Sequence, residues 1–408
     1  MRLTIVQYAG DYREAWERFE AGGRATYQAQ RYSVAFVAGL AAKLEQVAIV
    51  SAVTDEAYDV VLPNGVRAIG AGLKAGFRPQ VLVRFVDRTA PDVLVMVTPL
   101  LPLLRWARLN RVRTITTLAD SFQRGGIRRT IRNRRLAKAL NRPDVEWVGN
   151  HGIAACVSLA SIGVQPHKII PWDWPATHTP SQYPPRTMDR IRPVQLVYVG
   201  SLTEDKGVGD LLRALHRLKS NGSEPELTII GNDSDARMQV LTEELGLTTQ
   251  VNFAGLIPNE EVPHAMRAAH IVIIPSRHEY PEGLPLTIYE ALSARTPIIA
   301  SDHPMFRGAL RHEETALIFP ARNASALAQA IDRLSDDSDL YARLSKNSDA
   351  AWQALQLPVN WGTLIERCLA DTIADRDWIK AHAIASGLYD RQIEVLNQSS
   401  NGIVINRN

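Results

Sequence analysis

The sequence predicts an α/β protein built on doubly wound parallel sheets, with two domains, and three observations lead there. Residues Ile271–Asp302 read as an apolar run stopped by Pro275, a turn-rich loop, an amphipathic helix, and a second apolar run at Ile298–Ala300. That is strand, loop, helix, strand, the unit of a parallel sheet. The N-terminal half shows the same alternation of short apolar runs with helical patterns. The length of 408 residues, with 46% hydrophobic and 22% charged residues, is enough for two cores, and the proline-rich stretch 171–193 marks a stiff connector between them.

Taken in order, Leu3–Tyr8 is the first strand, its apolar run too short for a signal peptide. A polar insertion runs to Gly22-Gly23, followed by a helix over Thr26–Leu44 and a strand at Val47–Ala52. Further strands are expected at Val81–Phe85, Val93–Thr98, Thr114–Leu118 and Trp147–Val148. Asp120 follows the Thr114–Leu118 strand, where it either meets a ligand or caps the next segment. Residues 123–142 then hold eight basic residues, Arg124, Arg128, Arg129, Arg132, Arg134, Arg135, Lys138 and Arg142, without one acid. Net charge is only +3, so the chain as a whole is no polyanion binder and this basicity is local. Such a run is either a solvated face or a surface for an anionic membrane or acceptor; no aromatic platform or recognition motif joins it to nucleic acid. Asn150-His151 opens a helix at 152–163, with His151 read as a surface residue.

The second half starts at Val194. A strand ends at Gly200, the loop S-L-T-E-D-K-G follows, and a helix begins at Val208; Lys206 stands at its start, where it can neutralise anionic charge. Strands follow at Leu227–Ile230 and Val251–Phe253, and Asp233-Ser234-Asp235 between them reads as a polar turn. In the 271–302 segment Glu282 falls in the loop and Glu290 in the early helix, behind Pro285 in its first turn. The free amides of Leu286 and Thr287 and the helix dipole suit a phosphate, and acids beside a bound phosphate suit sugar hydroxyls; the alternative is a buried helix with two solvent-facing acids. Helices over Trp361–Ala374 and Asp375–Asn397 end the ordered chain, and the tail from Gln398 is disordered by composition. Cys156 and Cys368 form no metal spacing and are expected as reduced thiols of a cytoplasmic protein. No His/Cys/Asp/Glu cluster has metal spacing, and Val93–Leu104, broken by prolines, is no transmembrane span.

The segment E-G-L-P-L-T-I-Y-E-A-L resembles the E-x7-E motif of GT4-type retaining glycosyltransferases of the GT-B fold. Leu196–Gly207, Leu227–Gly231, Val251–Ile257 and Thr315–Pro320 resemble further segments of that family, in the family's order. The resemblance implies two Rossmann-like doubly wound domains facing a cleft: an acceptor domain over 1–170, a linker over 171–193, a donor domain over 194–365, and helices over 366–408 crossing back to the first domain. It implies a metal-independent, cofactor-free transfer, with retention, from a UDP- or GDP-type sugar to a sugar, lipid-linked or other hydroxyl acceptor. The catalytic residues would be Glu282, Lys206 and Asp120. The donor site would comprise Gly22, Gly23, Gly200, Ser201, Lys206, Ile257, Gly283, Leu286, Thr287 and Glu290, with Glu290 on the ribose, Glu282 on sugar hydroxyls and the backbone near Ile257 along the base. The protein is expected in the cytoplasm or peripherally on the inner face of a membrane, held there by Arg124–Arg142. The sequence departs from the family at Ser201, where an arginine is usual, at Ala119-Asp120, where His-Asp is usual, and at P-W-D-W-P. Arg277 or His278 is a candidate replacement for the missing cation. A non-catalytic GT-B-like partner or scaffold and a sugar-nucleotide epimerase remain alternatives.

Overall fold

The computed structural model describes residues 1–398 apart from 9, 123–125, 189–192, 234 and 281. Arg124, Ser234 and the tail beyond Gln398 therefore lie outside the described residues. Two compact units emerge: unit 1 is Met1–Ala25, Ala29–Pro175 and Leu357–Asn408, and unit 2 is Thr26–Gln28 and Ala176–Gln356.

Unit 1 holds an eight-stranded sheet of β1 (Arg2–Gln7), β2 (Gln46–Val53), β3 (Ala57–Val61), β4 (Val66–Leu73), β5 (Val93–Met96), β6 (Arg113–Leu118), β7 (Val145–His151) and β8 (Ile169–Trp172). Their order is β3-β4-β2-β1-β5-β6-β7-β8, parallel except for β3, which pairs antiparallel with β4 at the edge. The inner strands are largely buried because helices cover both faces, with Thr4, Ser51, Thr114, Thr116 and Thr117 buried among their apolar residues. Leu3 and Ile5 enter one core with Val37 and Leu364, whereas Val6 enters the other with Leu103 and Leu140.

Several expectations are corrected here. Val81–Phe85 is no strand: Pro79–Leu82 is a 3-10 turn and Val83–Asp87 a helical turn. The polar insertion is the helix Tyr12–Glu20, capped by the Asp11 side chain on the Glu14 amide. The next helix runs only over Gln30–Ala41, since Ala29 before it is left-handed. His151 belongs to β7 and is 4% exposed, so its surface reading fails. Pro171 and Trp172 are the end of β8, and Asp173 pairs with Asn360 through Asp173 N–H to the Val359 carbonyl and Trp361 N–H to the Asp173 carbonyl, so 171–175 belong to unit 1 rather than to a linker. The chain re-enters unit 1 at Leu357, ahead of the expected boundary at 365.

Unit 2 holds a six-stranded parallel sheet of β9 (Gln195–Val199), β10 (Glu226–Ile230), β11 (Val251–Gly255), β12 (Ile271–Ile274), β13 (Ile298–Ser301) and β14 (Leu317–Phe319), in the order β11-β10-β9-β12-β13-β14. The strand order reverses between β9 and β12. Open sheets of this kind take ligands beyond the carboxyl ends of the strands, at such a reversal. The helices Val208–Ser220, Leu286–Ser293 and Ala324–Asp336 carry Leu211, Leu215, Ile288, Leu327 and Ile331 onto the sheet as buried residues. Among the described residues no helix is long and apolar enough to cross a membrane.

Candidate active site

Two loops flank the reversal, one after β9 and one after β12, and their backbones touch. Gly207 has φ +76°, and a Cβ there would stand 2.0 Å from the Pro275 carbonyl oxygen. Gly231, after β10, is as constrained: its Cβ would meet the Gly200 carbonyl oxygen at 1.9 Å. Only glycine allows this approach. The Arg277 amide donates to the Asp205 carbonyl at 2.9 Å, which closes the contact.

The approach brings Lys206 onto Glu282. The ammonium of Lys206 donates to the Glu282 carboxylate and lies 4.3 Å from the centre of the Tyr280 ring. The Ser276 hydroxyl donates to the same carboxylate oxygen at 2.9 Å, and Glu282 is 6% exposed. Two residues singled out separately in the sequence are thus one ion pair. Ser276 and Tyr280 were not singled out; a serine and a tyrosine in a loop carry no spacing signal.

Glu290 is not solvent-facing but 7% exposed, and it accepts from the Asn259 side-chain amide at 2.8 Å. Burial pushes its carboxyl up to about 7, against the opposing pull of the Asn259 hydrogen bond. Asn259 follows β11 just beyond Ile257, so Glu290 ties its helix to the loop after that strand. Pro285 stands immediately before the helix Leu286–Ser293. The first-turn amides of Leu286 and Thr287 have no carbonyl one turn back. Leu286, Thr287 and Gly283 are half-buried, and Ser201 is exposed.

Both candidates for the cation missing at Ser201 are paired with acids. Arg277 donates from Nε and Nη2 to the two Asp210 carboxylate oxygens, each at 2.7 Å, and from Nη2 to Glu204 at 2.7 Å. These bonds, Asp210 first, hold its guanidinium well above its ordinary range. His278 Nε2 is bonded to Asp302 at 2.7 Å. The polar-turn reading of 233–235 fits Asp233, whose carboxylate caps the amides of Met238 and Gln239 at 2.9 and 3.1 Å.

In unit 1, Asp120 follows β6 and is half-buried; burial pushes its carboxyl up to about 6. Its backbone is clamped by Asn150, whose Oδ1 accepts from the Asp120 amide at 3.3 Å and whose Nδ2 donates to the Asp120 carbonyl at 2.9 Å. His151 is bonded through Nε2 to Asp173 at 2.8 Å and lies tilted against Trp172, ring centres 5.1 Å apart. Gly22 and Gly23 close the helix Tyr12–Glu20, their amides donating to Phe19 and Arg18 carbonyls at 3.0 and 2.8 Å. Both cysteines are buried free thiols.

Lys206, Glu282 and the start of the helix Leu286–Ser293 thus lie beyond the strand-order reversal of a doubly wound sheet, and comparison with known proteins shows what the chain resembles. The sequence profile described as "Glycosyl transferases group 1" matches residues 190–350. The chain is 30% identical over 159 residues to an alpha-D-kanosaminyltransferase of Streptomyces kanamyceticus, covering 38% of this chain and 40% of that protein. It is 31% identical over 148 residues to the amylovoran biosynthesis glycosyltransferase AmsK of Erwinia amylovora, covering 35% and 36%. The matches thus span well under half of these relatives' length. The crystal structure of Anabaena Alr3699/HepE in complex with UDP-glucose is similar over 92% of this chain and 99% of that one, with a TM-score of 0.64 at 16% identity. The fold is GT-B. Within it, residues 190–350 resemble the group 1 glycosyl transferases, as the sequence motifs implied.

Proposed function

We propose that this protein is a retaining glycosyltransferase that moves a sugar from a UDP- or GDP-type donor to a hydroxyl acceptor without a metal ion. The observation that carries this reading is the Lys206–Glu282 pair at the strand-order reversal, with the helix Leu286–Ser293 starting four residues after Glu282. A donor diphosphate takes over Lys206 and the amides of Leu286 and Thr287. Glu282, released from Lys206 but still held by Ser276, accepts hydroxyl hydrogen bonds from the transferred sugar. Glu290 accepts from the ribose, and the backbone around Ile257 lines the base. The loops of Gly200, Ser201 and Gly283 complete the donor site.

The bond between the anomeric carbon and the diphosphate oxygen breaks, and the acceptor oxygen bonds that carbon on the same face. The departing diphosphate oxygen takes the acceptor proton, so no protein nucleophile is needed. Lys206 and the helix amides stabilise the charge that builds up on the leaving group. Unit 1 would hold the acceptor, with Asp120 taking part in the transfer and Gly22-Gly23 assigned to the donor phosphates. Its basic segment, Arg128–Arg142 among the described residues, would rest on an anionic membrane at the inner face of the cell envelope. The donor is set against HepE, whose crystal structure holds UDP-glucose.

One observation favours a second reading, a nucleotide-sugar binder without turnover. Ser201 supplies no cation and Arg277 is bonded to Asp210 and Glu204, so that of Ser201, Arg277 and Lys206 only the lysine is assigned to the phosphates. Incubation with a panel of UDP- and GDP-sugars decides between them. Slow release of nucleoside diphosphate, lost in Lys206→Ala, is the expected result; binding of a donor with no release from any would establish the binder.

A further inference from the structure

The helix Ile127–Leu140 presents an outward face that charge alone does not explain. Its buried residues, Asn133, Leu136, Ala137 and Leu140, lie on one side. At about 100° per residue, Ile131 stands opposite Leu140. Ile127 and Ile131 share that outward stripe with Arg134 and Lys138, and Arg128, Arg132 and Arg135 run alongside. Ile127 is 81% exposed and Ile131 46%. A helix that merely meets water puts polar residues at the centre of its outer face; this one puts two isoleucines there, one turn apart.

A second observation concerns the helix end. Its first turn holds no acid and instead carries Arg128 and Arg129, and Gly126 gives it no side-chain cap. Cations at the positive end of a helix dipole are unfavourable, and a negatively charged surface removes that penalty. The helix Leu101–Leu109 packs against this one and exposes Arg105, Arg108 and Leu109, the last at 71%. Both helices therefore offer isolated large apolar side chains set among arginines.

We infer that Ile127 and Ile131 are a membrane-insertion element for an anionic bilayer. The N-terminal half of the helix dips to the boundary between headgroups and acyl chains, and the flanking arginines reach lipid phosphates while their stems lie along the apolar layer. This rests on the membrane contact proposed above and adds to it a buried apolar part, which salt does not screen.

Co-sedimentation with vesicles tests it. The wild type should bind vesicles of phosphatidylglycerol and phosphatidylcholine, not phosphatidylcholine alone. A measurable fraction should stay bound in about 1 M salt, where exposed charges are screened within roughly 3 Å. Ile127→Ser/Ile131→Ser keeps every charge and should lower partitioning about tenfold or more. It should melt like the wild type and release nucleoside diphosphate from the donor at the same rate, since both side chains are exposed. If that variant partitions like the wild type and salt releases both completely, insertion is overturned while the electrostatic contact stands. If the wild type ignores anionic vesicles at low salt, both ideas fall, and a phosphorylated soluble acceptor becomes the partner of the arginines.

Discussion

Glu290 is a residue whose burial makes a pH-dependent statement. Its folded carboxyl titrates at about 7, above an ordinary glutamate. Its contribution to stability is therefore fully present below the ordinary glutamate range and is lost as pH rises through 7. Ribose binding runs the other way, because the carboxylate accepts hydroxyl hydrogen bonds better than the acid does. Nucleoside-diphosphate affinity should rise between pH 6 and 8, and Glu290→Gln should weaken it at pH 8 by about 1.5–3 kcal/mol, roughly 10- to 150-fold. Calorimetry at several pH values checks both; a Gln variant with unchanged affinity would remove Glu290 from the site. Lys206 is different, since a leaving diphosphate gains most charge in the transition state. Lys206→Ala should lower kcat more than it raises KM, and a wild-type kcat would assign the diphosphate to another group. At this scale the sequence named both acids and the lysine, because their types and order form a motif. It did not name Ser276, Tyr280 or Asn259, and it left Arg277 as a ligand candidate. Those roles depend on which loops touch, and a single chain's spacing does not encode loop contacts.

At the scale of elements, the loops after β9 and β12 behave as one piece, joined by Arg277 on Asp210 and Glu204. The Arg277 and Asp210 side chains are 9% and 6% exposed. Removing one partner strands a buried charge, so Arg277→Leu should destabilise the fold by about 3–5 kcal/mol. Arg277→Leu/Asp210→Leu should recover part of that loss, and urea unfolding of the two variants is the check. An unchanged midpoint for Arg277→Leu would mean that the loops are held by the glycine contact, the Arg277 amide and the Lys206–Glu282 pair without the guanidinium. Elements with strong apolar runs, such as β1, β2, β9 and β12, were legible because a strand buried on both faces has little else to be. β3 was not: its pattern is mostly exposed or half-buried, and its antiparallel pairing with β4 lies at an edge. The apolar run Val81–Phe85 misled for the opposite reason. Pro79 starts a 3-10 turn there, and helical packing against the core buries Leu82, Phe85 and Val86 as well as a strand would.

For the whole molecule, length and composition foretold two domains but not how the chain divides between them. The proline-rich stretch looked like a linker, yet its first residues are held by aromatic packing with distant sequence: Trp174 lies 5.0 Å from Trp172 and 5.3 Å from Trp361, ring centre to ring centre. Unit 1 is consequently assembled from both ends of the chain. Val359, Trp361, Leu364, Ile365 and Cys368 are buried in the same core as Leu3, Ile5 and Ile115. Among the described residues, the buried members of the principal core of unit 2 lie between Val194 and Leu344, with Met188 packed against them. This asymmetry yields a prediction that needs no substrate. A fragment of residues 176–356 should unfold cooperatively and bind nucleoside diphosphate, because its sheet, its core and Lys206, Glu282 and Glu290 are all within it. Residues 1–356 should keep that transition but lose the one belonging to unit 1, since truncation strips one face of its sheet of the helix Trp361–Ala370. Thermal unfolding followed by circular dichroism separates the cases. A fragment 176–356 without a cooperative transition, or a 1–356 chain that still shows two, would mean that the two units do not stand on the cores assigned to them.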